Sequence, residues 1–221
     1  MNLDWNWDYF WEVLPDIVGR GLWITVQATV YGSIIAYLLG MVLALLRRSP
    51  IRVVSTVTWA FIEFIRSTPL LVQIFFLFFV FPDFGIKFDA LTTGVIALGL
   101  HYSTYASEVY RAGIEAVPVG QWEAATALSL PRSRTWRAVI LPQAIPRVLP
   151  ALGNYTISML KETPLLLVIG VTDIAGAAFQ TGSKAFRYVE PITIAGLLFL
   201  VLSLLASLLV RWLERRVGTL R

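Results

Sequence analysis

Long uncharged runs alternate along the chain with short basic or acidic ones. Gly21 to Leu46 carries no charge over 26 residues, enough to cross a hydrocarbon layer of about 30 Å with some tilt. Arg47, Arg48 and Arg52 follow at once. A second apolar run, from about Val53 to Phe81, holds Glu63 and Arg66 and is interrupted by Pro69. The loop PDFGIKFD leads to a third run, Ala90 to about Arg111. A fourth, from about Val148 to Val171, has Lys161 and Glu162 inside it. Residues 173–190 are mixed and polar, and a fifth run, Pro191 to Val210, leads into RWLERR. This pattern predicts an all-α integral membrane protein: five transmembrane helices in a single domain over residues 1–221.

Composition agrees. Of 221 residues, 57% are hydrophobic and only 14% are charged, against about 25% in soluble domains. The absence of cysteine excludes disulfides and thiolate metal sites. A single histidine excludes a multi-histidine metal centre. Asp4, Asp8, Glu12 and Asp16 precede the first base, Arg20, unlike the basic start of a cleaved signal. Trp5, Trp7, Tyr9, Phe10 and Trp11 suit a membrane interface.

Charge asymmetry orients the chain. Three arginines and no acid follow the first run. Arg132, Arg134, Arg137 and Arg147 face only Glu123 after the third, and Arg211, Arg215, Arg216 and Arg221 face Glu214 at the C-terminus. All three basic segments fall on one side of a five-span chain, so the positive-inside rule predicts a cytoplasmic C-terminus and an N-terminus outside. The nearest approach to a phosphate loop, GAAFQTGSKA at 176–185, has wrong glycine spacing and lies on the outer side, so it is rejected.

The cytoplasmic segment 116–143 contains WEAATALSLPRSRTWRAVILPQA from Trp122 onward. Gln121 to Leu128 is rich in helix formers. Pro131 disfavours helix at Leu130 and blocks continuation. A second helix is expected from Arg132–Ser133 towards Pro142. Ala124, Ala125 and Ala127 give the first helix a small-residue surface that lets another backbone come close. Read from the residues alone, this is either a docking helix or an amphipathic helix on lipid headgroups.

The segment resembles the EAA loop of ATP-binding-cassette importer permeases. The matching residues are Glu123-Ala124-Ala125, Val139 at the isoleucine position and Leu141-Pro142, with Ser129 where the pattern has glycine. EFIRSTPLLVQ (63–73), EVYRAGIEAVPVGQWEAA (108–125) and LPQAIPRVLPALGNYTISMLKETPLLLVIGV (141–171) are similar to the polar-amino-acid uptake subfamily. GLHYSTYASEVYRAGIEAVP, FRYVEP and the N-terminal segment look most like its ectoine/hydroxyectoine permeases.

The resemblance implies a MetI-like type I importer half-channel in the bacterial cytoplasmic (inner) membrane. It implies a second permease subunit, identical or homologous, and two cytoplasmic ATPase subunits. It also implies a substrate-binding protein outside and a small polar or zwitterionic substrate. This chain is expected to bind no cofactor, since ATP is used by the partner subunits, to sit among membrane lipid, and to bind no nucleic acid. Gly120, Glu123, Ala124, Ala125, Leu128, Ser129 and Pro131 are the expected ATPase-coupling residues. Glycine at position 129 would favour a left-handed residue at the helix end. Serine there costs roughly 1–2 kcal/mol.

Charges inside apolar runs are costly, about 2.5–3.5 kcal/mol at the centre of a bilayer. Glu63 and Arg66 are spaced to pair on one helical face, as are Glu108, Arg111 and Glu115. The latter three are expected near the cytoplasmic end and the former pair deeper. Lys161 and Glu162 are adjacent and cannot both face lipid. His101-Tyr102-Ser103-Thr104-Tyr105 and Asn154-Tyr155-Thr156 with Ser158 form polar midsections. The candidate substrate pathway is therefore Glu63, Arg66, His101, Ser103, Asn154, Ser158, Lys161 and Glu162. For the hydroxyls and amide, helix–helix hydrogen bonding is the alternative role. For the whole chain, the alternative function is a secondary transporter or channel. A membrane-embedded enzyme would need a catalytic constellation that the sequence lacks.

Overall fold

A computed structural model describes residues 5–218. Asp4 and Arg221, counted in the charge pattern above, lie outside them. The described residues form a helical bundle.

Helix α1 (Trp7–Asp16) passes through a π-turn at Ile17–Gly21 into α2 (Leu22–Arg47). The whole is one helix of 41 residues, longer than the uncharged run predicted. Asn6 starts it by accepting the Tyr9 N–H at 3.1 Å. The π-turn follows Pro15 directly, a widening that lets a helix continue past a missing donor.

The second apolar run is not one kinked span. It is α3 (Arg52–Ser67) and α4 (Leu70–Phe75), the latter extended by a π-turn and a 3-10 turn to Phe84. The chain bends by 103° between the two arms. Thr68 (ψ 139°) and Pro69 (ψ 136°) are both extended, as a residue before proline and a proline starting a helix prefer. Such a break frees carbonyl groups that an apolar medium cannot satisfy. The Gln73 amide serves two of them: Nε2 donates to the Thr68 carbonyl at 3.1 Å and, at 2.7 Å, to the Ile65 carbonyl, which also accepts the N–H and the hydroxyl of Thr68.

Helix α5 (Ala90–Glu115) is capped by Asp89, which accepts the Thr92 N–H at 3.0 Å. Then come α6 (Val119–Ala127) and α7 (Arg132–Arg134). A π-helical stretch, Thr135–Ile140, joins α7 to α8 (Leu141–Glu162). Pro142 was expected near a helix end, but the helix runs on through it. The wide π-turn before it is the local adjustment. After a 3-10 segment, Thr163–Ile169, Gly170 takes φ 84°. Helix α9 (Ile174–Ala185) then leaves at 44° to the preceding helix, so the rejected phosphate-loop stretch is helical. Helix α10 (Val189–Gly218) ends the described chain.

Among the described residues, two helices, Trp7–Arg47 and Val189–Arg216, are long and apolar enough to cross a membrane, and the two bent pairs raise this to four. Helix α5, at 26 residues, is about 39 Å long; its polar midsection lowers its hydropathy.

Small residues close the central packing. A Cβ on Gly40 of α2 would lie 2.9 Å from the Ser103 carbonyl oxygen, and one on Gly99 of α5 would lie 2.5 Å from Ile35 Cγ2. Without a hydrophobic force between helices in lipid, such close approach is a main source of cohesion. Outward, α2 exposes Val30, Ile34 and Leu38, and α10 exposes Leu197, Leu204 and Leu208. Apolar faces of this extent suit hydrocarbon rather than water.

Candidate functional site

Three regions gather the residues singled out in the sequence. The first is α6. Its end closes as a Schellman turn: the Leu130 N–H donates to the Ala125 carbonyl at 3.0 Å, and the Ser129 N–H to the Thr126 carbonyl at 2.9 Å. Ser129 has φ 51°, so serine does adopt the left-handed conformation that glycine would take more easily. Trp122 stacks edge-on against Trp136, with ring centroids 5.4 Å apart. Gln143 Nε2 donates to Gln121 Oε1 at 3.1 Å, and Arg147 donates to the Ala116 carbonyl. Ala125 is buried against this home side, whereas Gly120, Glu123, Ala124, Ala127, Leu128, Ser129 and Pro131 are exposed. The alanines therefore divide: one packs inward and two point out. Val119 (70% exposed) and Leu128 (72%) flank the bare face. Val119 was missed in the sequence, although it stands one turn before Glu123.

The second region is a charged cleft of about 410 Å³ at the basic end of the bundle. Arg66 Nη2 lies 2.7 Å from Glu63 Oε1. Arg111 Nη2 lies 2.7 Å from Glu108 Oε2, and its Nη1 2.7 Å from Glu115 Oε2. Both groups line one cleft together with Arg47, Arg48 and Trp59. Glu63 and Arg66 were expected deeper. The sharp bend after Ser67 lays α3 back towards the end of α5 and brings the two charge sets together.

The third region is a polar centre between α5 and α8. His101, Tyr102, Tyr105 and Tyr155 form an aromatic cluster with centroids 5.3–6.0 Å apart. His101 Nδ1 lies 3.3 Å from Gln73 Oε1, which ties the cluster to the α3–α4 break. Arg66 lies within electrostatic reach of Tyr155. Ser158 and Glu162 face Tyr102.

Three buried or half-buried acids differ in how they are satisfied. Asp173, fully buried, accepts the Gly176 N–H at 2.8 Å and the Thr163 hydroxyl at 3.1 Å. Glu190, also fully buried, accepts the Asn6 N–H at 2.8 Å and pairs with Arg187. Glu162 Oε2 is buried with no hydrogen-bond partner, a costly state for a carboxylate.

Not every predicted pathway residue joins this centre. Ser103 is fully buried, donates to the Leu100 carbonyl at 2.6 Å and abuts Gly40, so it belongs to the α2–α5 contact. Asn154 and Lys161 are exposed along α8 away from the centre, and Ser158, though it faces Tyr102, is exposed as well. Gln73 was not singled out, yet an amide shortly after a proline break, inside an apolar run, is the group such a break requires.

Residues 36–219 match the family described as the binding-protein-dependent transport system inner membrane component. The chain belongs to this family. The permease is 49% identical over 200 residues to a probable amino-acid ABC transporter permease protein of Sinorhizobium fredii, covering 90% of this chain and 86% of that one. It is 36% identical to the arginine transport system permease protein ArtQ of Bacillus subtilis, covering 98% of each chain. In structure it is similar to a chain of an amino acid ABC transporter crystallised with histidines. The TM-score is 0.90 at 38% identity, over 97% of this chain and 100% of that one. A chain of the MetNI methionine transporter has a TM-score of 0.76 at 19% identity, over 96% and 99%, which supports the fold alone. The permease thus has the MetI-like type I fold and is a multi-pass inner-membrane subunit of an amino-acid ABC importer. Such subunits are not enzymes. They work with ATPase subunits, a second permease and a substrate-binding protein.

Proposed function

We propose that this permease carries polar amino acids or the zwitterions ectoine and hydroxyectoine inward, and that ATPase subunits drive it through α6. The observation that carries the coupling assignment is the exposed outward face of Gly120, Glu123, Ala124 and Leu128, while Ala125 and Trp122 anchor the helix behind it. A partner's backbone can approach small side chains closely, and Glu123 and Leu128 give that contact one charge and one apolar anchor.

On this reading the chain has five spans: α1–α2, the α3–α4 pair, α5, α8 and α10. The basic segments then lie in the cytoplasm and the N-terminus outside. The substrate path runs past Glu162, Ser158, His101 and the three tyrosines towards Arg66 and Glu63. A zwitterion offers a cationic group that the free Glu162 oxygen can accept and a carboxylate that Arg66 can bind. Asn154 and Lys161 extend the same face of α8. The cationic side chain named by the arginine relative fits an acidic centre too, so the ligand panel must include it.

The test is ligand-stimulated ATP hydrolysis by the reconstituted complex with ectoine, hydroxyectoine, arginine, glutamine and histidine. Stimulation by one of these and concentrative uptake into vesicles is expected. Stimulation by sugars or metal ions alone would overturn the substrate assignment. Uptake that follows a proton gradient and ignores ATP would overturn the mechanism.

A further inference from the structure

A groove of about 810 Å³ opens between the end of α2 and the α6–α8 segment. One wall is Val42, Leu45 and Leu46, which are 50%, 49% and 42% exposed. They continue the α2 face that carries Val30, Ile34 and Leu38, so the groove opens onto an exposed apolar face suited to hydrocarbon. The opposite wall includes the stacked pair Trp122 and Trp136, residues at home where apolar and wet regions meet. Arg48 and Arg132 line it as well, and no acid does. Glu115, 3.7 Å from Arg48 Nη1, is also bonded to Arg111.

A molecule that fits must be apolar on one side and anionic at one end. We propose that this groove binds an anionic phospholipid, its tails along α2 and its phosphate between Arg48 and Arg132. Basic pockets beside spans on the cytoplasmic side suit such headgroups. The lipid would brace the α2 end against Trp122 of α6, so that the stiffness of the coupling helix depends on membrane composition. Its assignment to the inner leaflet rests on the orientation proposed above; binding itself does not.

The experiment uses the assembled importer in phosphatidylcholine vesicles with or without phosphatidylglycerol. Retained lipid is read by native mass spectrometry and ligand-stimulated ATP hydrolysis in parallel. The intact complex retains phosphatidylglycerol, and phosphatidylglycerol raises its stimulated hydrolysis. Retention falls about fivefold for each of Arg48→Gln and Arg132→Gln. Leu45→Trp, which keeps both arginines and fills the groove, lowers retention as well. Arg134→Gln, exposed and outside the groove, leaves it unchanged. Inorganic phosphate added to phosphatidylcholine vesicles does not replace the lipid. Equal retention by wild type and both groove-arginine variants overturns the proposal. So does equal loss in Arg134→Gln, which would mean surface charge alone, or crosslinking of Thr126→Cys to the ATPase and not to lipid, which would mean a protein occupant. Hydrolysis stimulated by ligand in phosphatidylcholine alone keeps the transport function separate from this outcome.

Discussion

The α6 segment and the polar centre are both polar regions of an apolar chain, but they are unfinished in different ways. On α6 the backbone is closed off by the Schellman turn at Ser129, and Trp122, Gln121 and Ala125 hold it to the bundle. What is left over is side-chain surface: Glu123, Ala124 and Leu128. At the centre the surface is largely filled by the tyrosines and His101, and the α3–α4 break is satisfied by Gln73. What is left over there is one carboxylate oxygen of Glu162. A spare surface suits a large, permanent partner. A spare hydrogen-bond acceptor suits a small, transient one. On the proposed function, force enters at the first region and a solute passes at the second.

The largest test of this contrast is on α6. Ala124→Trp and Glu123→Lys should each lower transport about tenfold or more, about 1.4 kcal/mol of coupling, while ATP hydrolysis continues and the melting temperature barely moves. Normal import by both variants would erase the distinction. At the centre, Gln73→Leu should do the reverse. It strands the Thr68 carbonyl and takes one of three donors from the Ile65 carbonyl, and should cost about 1–3 kcal/mol of stability, seen as a lower melting temperature of the purified complex. Glu162→Gln is milder. It keeps the shape and removes the charge, so the KM for transport should rise several-fold, roughly 1 kcal/mol of lost charge-assisted bonding, with stability preserved. The smallest effect belongs to Ser129→Gly, which relieves a left-handed non-glycine residue worth about 1 kcal/mol. It should stabilise the α6 end against hydrogen exchange and leave transport intact.

Much of the α6 region was legible because its signals are local. Pro131 marked the break, two of the three alanines (Ala124 and Ala127, not the buried Ala125) marked the exposed face, and spacing alone predicted the Glu108–Arg111–Glu115 ion pairs. The centre was less legible because it depends on contacts across the chain. Nothing near Ser103 says that it faces Gly40 rather than a path for solute. Tyr155 and Gln73 matter through partners on α5, far away in sequence. The 103° turn at Pro69 was read as a kink, because a proline shows that a helix is interrupted but not by how much. That one angle moved Glu63 and Arg66 from an expected deep position to the charged cleft.

The chain contains no cysteine, so a single introduced thiol reports on one place. Ala124→Cys in the assembled importer, treated with a short thiol-to-amine crosslinker, tests the coupling assignment most directly. The account predicts a crosslink to the ATPase subunit that changes in yield when ATP is bound. A thiol that reacts freely with a water-soluble maleimide in the full complex, and gives no crosslink to the ATPase, would contradict it.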